Sequence, residues 1–200
     1  MERILDIFFS SLALLILFPL FLPIAIILKF SGEGEILFWQ ERVGKDGEIF
    51  KLLKFATMLK NSPNLDTGTV TVKADTRILP VGKFLRKTKI NELPQILNIL
   101  FGDMSVIGPR PLTIETFSYY PQEIQNIIKQ VKPGLSGIGS IVFRGEENLM
   151  DDSTVSVDFY THEIAPYKGA LEEWFVSNKS IFIYFIAIAA TILTVFFPKN

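Results

Sequence analysis

Residues 7–28 read IFFSSLALLILFPLFLPIAIIL, twenty-two consecutive positions without a charge. At about 1.5 Å per residue a straight helix of that length would reach about 33 Å, close to the ~30 Å hydrocarbon thickness of a bilayer. Pro19 and Pro23 disturb the plain span, because each removes an amide donor and crowds the preceding turn. Ile7 to Phe18 alone would cover about 18 Å, too little to cross. Two forms stay open: a kinked transmembrane helix, or a re-entrant helix that turns near Pro19 and leaves by the face it entered. In the second form the freed carbonyls need internal partners such as Ser10 and Ser11. Arg3 and Lys29 flank the run without fixing an orientation. No small-residue cleavage pattern follows, which argues against a cleaved signal peptide.

The apolar excess is confined to the two ends of the 200-residue chain, Ile4 to Phe30 and Ile181 to Phe197. The second run holds 17 residues without a charge, the lower limit for a span. It is compatible with crossing, with packing on the first helix, or with lying in the interface, where Trp174, Phe175 and Tyr184 would be at home. Ser31 to Lys179 reads as ordinary globular sequence. The expected organisation is therefore a membrane helix over 1–30, a globular domain over 31–179 and an apolar membrane-associated helix over 180–200. A net charge of −1 gives no field that would attract nucleic acid. Cysteine is absent and His162 is the single histidine, so thiolate chemistry, disulfides and histidine-based sites have no support. Chemistry must rest on carboxylates and cations, with a divalent ion as an optional addition.

Within the middle, residues 36–40 and 49–55 read as strands of a hairpin around Lys45-Asp46-Gly47. Asn61 to Val72 has loop composition. Helices are expected over Val81 to Arg86, from Asn91 to a stop at Gly102, over Phe117 to Val131, Val157 to Lys168 and Leu171 to Asn178. The fold class is α+β, mostly helical, with a short β-hairpin.

The densest chemistry lies in Arg86-Lys87-Thr88-Lys89-Ile90-Asn91-Glu92-Leu93-Pro94-Gln95, then Gly102-Asp103-Met104-Ser105 and Gly108-Pro109-Arg110-Pro111. Each piece has a plain structural reading: Asn91 as a helix cap, Glu92 against the positive helix end, the prolines as a rigid turn. Together they place Lys83, Arg86, Lys87 and Lys89 ahead of a helix start, a natural phosphate site. Arg110, between two prolines, has a pre-set backbone, so its fork can meet a phosphate at low entropic cost. Glu92 and Asp103 offer oxygens to a Mg²⁺ bridging a pyrophosphate.

The ordered series Phe50-Lys51…Lys54-Phe55-x-Thr57-Met58, Asn91-Glu92-Leu93-Pro94-Gln95, Asn98, Gly102-Asp103-Met104-Ser105, Gly108-Pro109-Arg110-Pro111 and Lys132-Pro133-Gly134-Leu135-Ser136-Gly137 resembles the monotopic phosphoglycosyl transferases, the bacterial sugar transferases. The resemblance covers roughly Ile4 to Asn178. It implies transfer of a phosphosugar from a UDP-sugar to polyprenol (undecaprenyl) phosphate with release of UMP, a Mg²⁺ cofactor and a re-entrant helix. It also implies the cytoplasmic face of the bacterial inner membrane as location, and a homodimer is compatible with it. By motif, the family's Asp-Glu dyad falls on Asn91 and Glu92. Its phosphate-binding arginine falls on Arg110, beside Pro109, and its cation before the dyad on Arg86. Lys54 falls in the Lys-Phe-x-Thr-Met motif, and Arg144 matches an arginine for the nucleotide or sugar, a plain surface cation being the alternative.

The nucleophile position holds asparagine, whose carboxamide oxygen does not form the acyl phosphate of covalent catalysis. Three readings stay open. The first is a natural variant using Glu92 as nucleophile or direct attack by the lipid phosphate. The second is a degenerate member that binds without turnover, and the third an Asp-to-Asn change introduced to trap a complex. Ala56 also stands where the resemblance implies a cation. Two other functional classes compete: a non-catalytic membrane protein that holds a sugar nucleotide or lipid phosphate, and a membrane anchor carrying an unrelated interaction module.

Overall fold

The computed structural model describes residues 1–60, 76–143 and 160–197. The expected loop at 61–72, the start of the 157–168 helix and Arg144 lie outside these residues. The described residues are mostly helical, with two small two-stranded sheets among them.

The N-terminal run forms one helix, α1 (Glu2–Lys29), that continues through Pro19 and Pro23. No interruption marks Pro19 in the helical run, although each ring removes one donor and crowds the turn before it. Among described helices, α1 is the one long and apolar enough to cross a membrane. Its central side chains face outward, with Leu15 75% and Phe18 71% exposed. Its two ends dock on the same body. Near the start, Arg3 donates to the carbonyls of Ile99 and Leu100 at 2.5 and 2.7 Å. Near the end, Ile24 and Leu28 are buried against Phe55 and Leu85.

Strands β1 (Leu37–Val43) and β2 (Ile49–Phe55) pair antiparallel, Val43 opposite Ile49. Asp46 and Gly47 make the turn at φ 58° and 82°, a region that Asp and Gly tolerate. Helix α2 (Pro80–Lys87) starts on a proline, whose missing donor costs nothing there. Its Gly82 lies against Thr57: a Cβ would sit 2.2 Å from the Thr57 carbonyl oxygen.

The segment at Asn91 differs from expectation. Ile90–Glu92 is a 3₁₀ turn, entered through Lys89 at φ 60°, and α3 (Gln95–Phe101) begins only after Pro94. Asn91 is therefore not the helix cap; it is buried inside the turn. Gly102 ends α3 at φ 104°, as the sequence suggested.

Strand β3 (Ser105–Ile107) leads to the Gly-Pro-Arg-Pro loop, then to α4 (Ile114–Ser118) and α5 (Gln122–Ile128). The single helix expected over 117–131 is thus divided at Pro121, which lacks an amide and disfavours helix at Tyr120. Strand β4 (Gly134–Ser136) pairs parallel to β3, a pairing not foreseen because each strand is three residues long. After α6 (Ile138–Val142) and a π turn at Tyr160–Ile164, one helix, α7 (Ala165–Ser177), replaces the two expected. It runs through Gly169, where a Cβ would meet Ile124 at 3.0 Å. Gly169 is there for close packing, not for a break. The last element, α8 (Ile181–Phe196), is capped by Ser180, whose hydroxyl accepts from the Ile183 amide at 3.2 Å.

Candidate phosphate site

Residues directly paired across β1 and β2 share a face, so the register places Gln40 beside Leu52, and Arg42 beside Phe50, on the face that carries Lys54. Asn98 then docks α3 onto that sheet. Its amide donates to the Lys51 carbonyl and its Oδ1 accepts from the Leu53 amide, both at 2.9 Å, taking the place of a third strand. This brings Glu92 and Gln95 over Lys54.

The opposite wall is built by glycines. A Cβ on Gly134 would lie 2.0 Å from the Gly108 amide nitrogen, and one on Gly137 2.1 Å from the Gly108 carbonyl oxygen. Only bare backbone fits, which is why the Gly-Pro-Arg-Pro and Pro-Gly-x-x-Gly segments meet. Gly108 donates to the Ser136 carbonyl and Gly134 to that of Pro109, at 2.9 and 2.8 Å. Pro109 is buried in this junction, and Arg110 emerges from it.

The result is an open cleft walled by Arg42, Lys54, Glu92, Gln95, Arg110 and Leu135, with Leu52 and Pro111. Glu92 Oε1 stands 3.8 Å from Arg110 Nη2 and 4.0 Å from Lys54 Nζ. Burial would raise the Glu92 carboxyl, but Arg110, Lys54, Lys89 and Arg42 outweigh it and hold the group below the ordinary glutamate range. Lys54 is pushed down to about 7, by burial first and then by Arg42, Arg110 and Arg86, against the pull of Glu92. Arg42 is lowered to about 10 by burial and by Arg110. Among the described wall residues Glu92 is the single acid, facing three cations with a fourth, Arg86, within electrostatic reach. That surplus of positive charge suits a phosphate or diphosphate.

The other residues singled out in the sequence lie elsewhere. Asn91 is 6% exposed and is not part of the wall; its Oδ1 has no hydrogen-bond partner among the described residues. Asp103 is exposed, accepts from the Asn98 amide at 3.1 Å and does not line the cleft, so it and Glu92 do not form the expected oxygen pair there. No cluster of three acidic or histidine groups exists among the described residues. Pro19 and Pro23 are exposed on α1. Arg42 was missed, although the hairpin register, had it been extended, puts it on the Lys54 face. Glu172 on α7 was also missed: it is 2% exposed and accepts from the Arg110 backbone amide at 3.3 Å. Nothing in its local sequence separates it from a surface acid.

The family model described as bacterial sugar transferase matches residues 1–198. The chain belongs to the bacterial sugar transferase family. Among its relatives is the UDP-glucose:undecaprenyl-phosphate glucose-1-phosphate transferase of Klebsiella pneumoniae, 38% identical over 161 residues, covering 79% of this chain and 34% of that protein. The exopolysaccharide production protein ExoY of Rhizobium meliloti is 32% identical over 205 residues, 96% of this chain and 83% of its own length. The UDP-N-acetylgalactosamine-undecaprenyl-phosphate N-acetylgalactosaminephosphotransferase of Aeromonas hydrophila is 32% identical, covering 97% of this sugar transferase and 43% of itself. The chain thus spans about one third of the length of the glucose-1-phosphate transferase of Klebsiella pneumoniae.

Proposed function

We propose that this sugar transferase moves a phosphosugar from a UDP-sugar to polyprenol (undecaprenyl) phosphate, releasing UMP and beginning a lipid-linked surface glycan. The observation that carries the reading is the charge balance of the cleft, where Glu92 meets Arg42, Lys54 and Arg110. The relatives named as undecaprenyl-phosphate sugar-phosphate transferases point to the same chemistry. These charged groups line one open cleft. It suits the diphosphate of the donor, with sugar and nucleoside extending beyond it.

Glu92, not Asn91, is the group this reading sets against the reacting phosphate. Asn91 lies outside the cleft wall, and a carboxamide does not form an acyl phosphate. Arg42 and Arg110 offer guanidinium forks, and Lys54 a point charge, to the non-bridging oxygens. Were Mg²⁺ to bind here, Glu92 would be the carboxylate to hold it, and the ion would supply further positive charge for the diphosphate. A member that binds without turnover finds no supporting observation.

The same reading makes α1 re-entrant and sets the body on the cytoplasmic face. A straight 28-residue helix would part its ends by about 42 Å. The docking of both ends on one body, with the apolar middle exposed, favours entry and exit on one side. The exposed apolar side chains of α8, Phe182 and Leu193 among them, are suited to the bilayer interface.

The test is UMP release from a UDP-sugar with polyprenol phosphate and Mg²⁺. The parent should turn over, and Glu92→Gln should lose about 100-fold or more. UMP released before lipid is added assigns the attack to Glu92; release only with lipid assigns it to the lipid phosphate. A silent parent whose Asn91→Asp variant is active would overturn the proposal.

A further inference from the structure

Glu172 is a buried acid on α7 that the charge cluster does not use. Its Oε1 accepts from the Arg110 backbone amide, and its Oε2 has no partner among the described residues. Gly139 of α6 lies against it so closely that a Cβ would come within 2.3 Å of Oε1. Lys168, one turn earlier on α7, is 3% exposed; its ammonium sits 5.3 Å from the centre of the Phe143 ring and pulls electrostatically on Glu172. Burying an acid is expensive unless its oxygens do something specific. Burial pushes this carboxyl up to about 7, while the Arg110 amide, Lys168 and Arg110 pull it back.

The Gly-Pro-Arg-Pro loop is otherwise held on both flanks of Arg110. Gly134 donates to the Pro109 carbonyl at 2.8 Å, and Arg42 Nη1 donates to that of Pro111 at 3.0 Å. The peptide nitrogen of Arg110 is the point between them, and Glu172 reaches it from a helix 62 residues later.

We infer that Glu172 is a positioning residue: it fixes the Arg110 backbone from behind, so that the guanidinium meets a diphosphate at the mouth of the cleft. The inference rests on the phosphate-site reading above. Displacement of such a group by about 1 Å can cost up to about 100-fold.

The experiment uses the full chain in detergent with inorganic pyrophosphate as probe, and reads the dissociation constant by calorimetry. Glu172→Ala should weaken binding about tenfold or more, whereas Glu172→Gln, which keeps an oxygen for the amide, should stay within about twofold. In an Arg110→Ala background Glu172→Ala should cost nothing further, because a residue that acts through Arg110 has nothing left to position. Gly139→Ala, pressing a methyl against the carboxylate, should copy the loss if Glu172→Ala does not fold. Equal losses with and without Arg110, or a Gln variant as weak as the Ala variant, would overturn the inference. A parent that binds pyrophosphate no better than Glu172→Ala does would sink the inference alone. A parent that takes up no pyrophosphate would sink the phosphate site with it.

Discussion

Lys54 and Glu92 show how one acid among several cations sets the behaviour of the cleft. Lys54 is drawn down to about 7 by burial and by the guanidinium groups around it. A diphosphate diester has a fixed charge near neutrality and favours the protonated amine, so binding takes up a proton above pH 7. Affinity for a UDP-sugar should therefore be fullest below about pH 7 and decline as pH rises through that value. Lys54→Arg should remove the decline, since guanidinium stays protonated; an unchanged pH profile in that variant would exclude Lys54 as its source. Arg42 makes a separable contribution. Its Nη1 bond to the Pro111 carbonyl and its place in the wall predict that Arg42→Ala raises KM for the donor about tenfold or more. Steady-state kinetics would reveal this as a change in KM larger than that in kcat.

Helix α1 owes its character to two kinds of residue. Its apolar middle is exposed, and polar anchors sit near its start, where Arg3 caps the carbonyl end of α3. The absence of native cysteine makes its topology directly measurable. Ile4→Cys and Phe30→Cys, at positions 71% and 88% exposed, should both react with an impermeant maleimide from the same face of membrane vesicles. Labelling from opposite faces would show a span and refute the re-entrant form. The β3–β4 pair depends on a different device, since Gly108, Gly134 and Gly137 bring backbones closer than any side chain allows.

The two apolar ends of the chain are joined by one buried carboxylate. Asp6 Oδ1 accepts from the Ser105 hydroxyl and the Val106 amide at 2.9 Å, and from the Tyr184 hydroxyl at 3.0 Å. Three donors would be left unmatched in Asp6→Ala, each worth on the order of 1–3 kcal/mol when buried. Allowing for relaxation, a loss of about 3 kcal/mol is expected, or roughly 6–12 °C in Tm. Thermal melting in detergent tests this, with Tyr184→Phe losing about a third as much because it removes one donor. The acid in α1 thereby couples the two apolar helices to the strand that leads into the Arg110 loop.

The hairpin, α2, the stop at Gly102, the apolar ends and the Glu92–Arg110 segment were legible from the sequence. They depend on neighbours in the chain: alternation, turn residues, proline at a helix start, glycine at a helix end, and the length of an uncharged run. The break at Pro121 is local in origin, since proline lacks an amide and disfavours helix before it, whereas the continuity through Gly169 follows from close packing against Ile124. Arg42, Asp6 and Glu172 took their meaning only from folding. Each is joined to the site or to its support by partners 62 to 178 residues away, with Arg42 bound to Pro111 at a separation of 69. Local pattern ranks side chains by type. Only three-dimensional packing chooses which buried charge faces which, since electrostatic and hydrogen-bond energies depend on distance and burial and not on order along the chain.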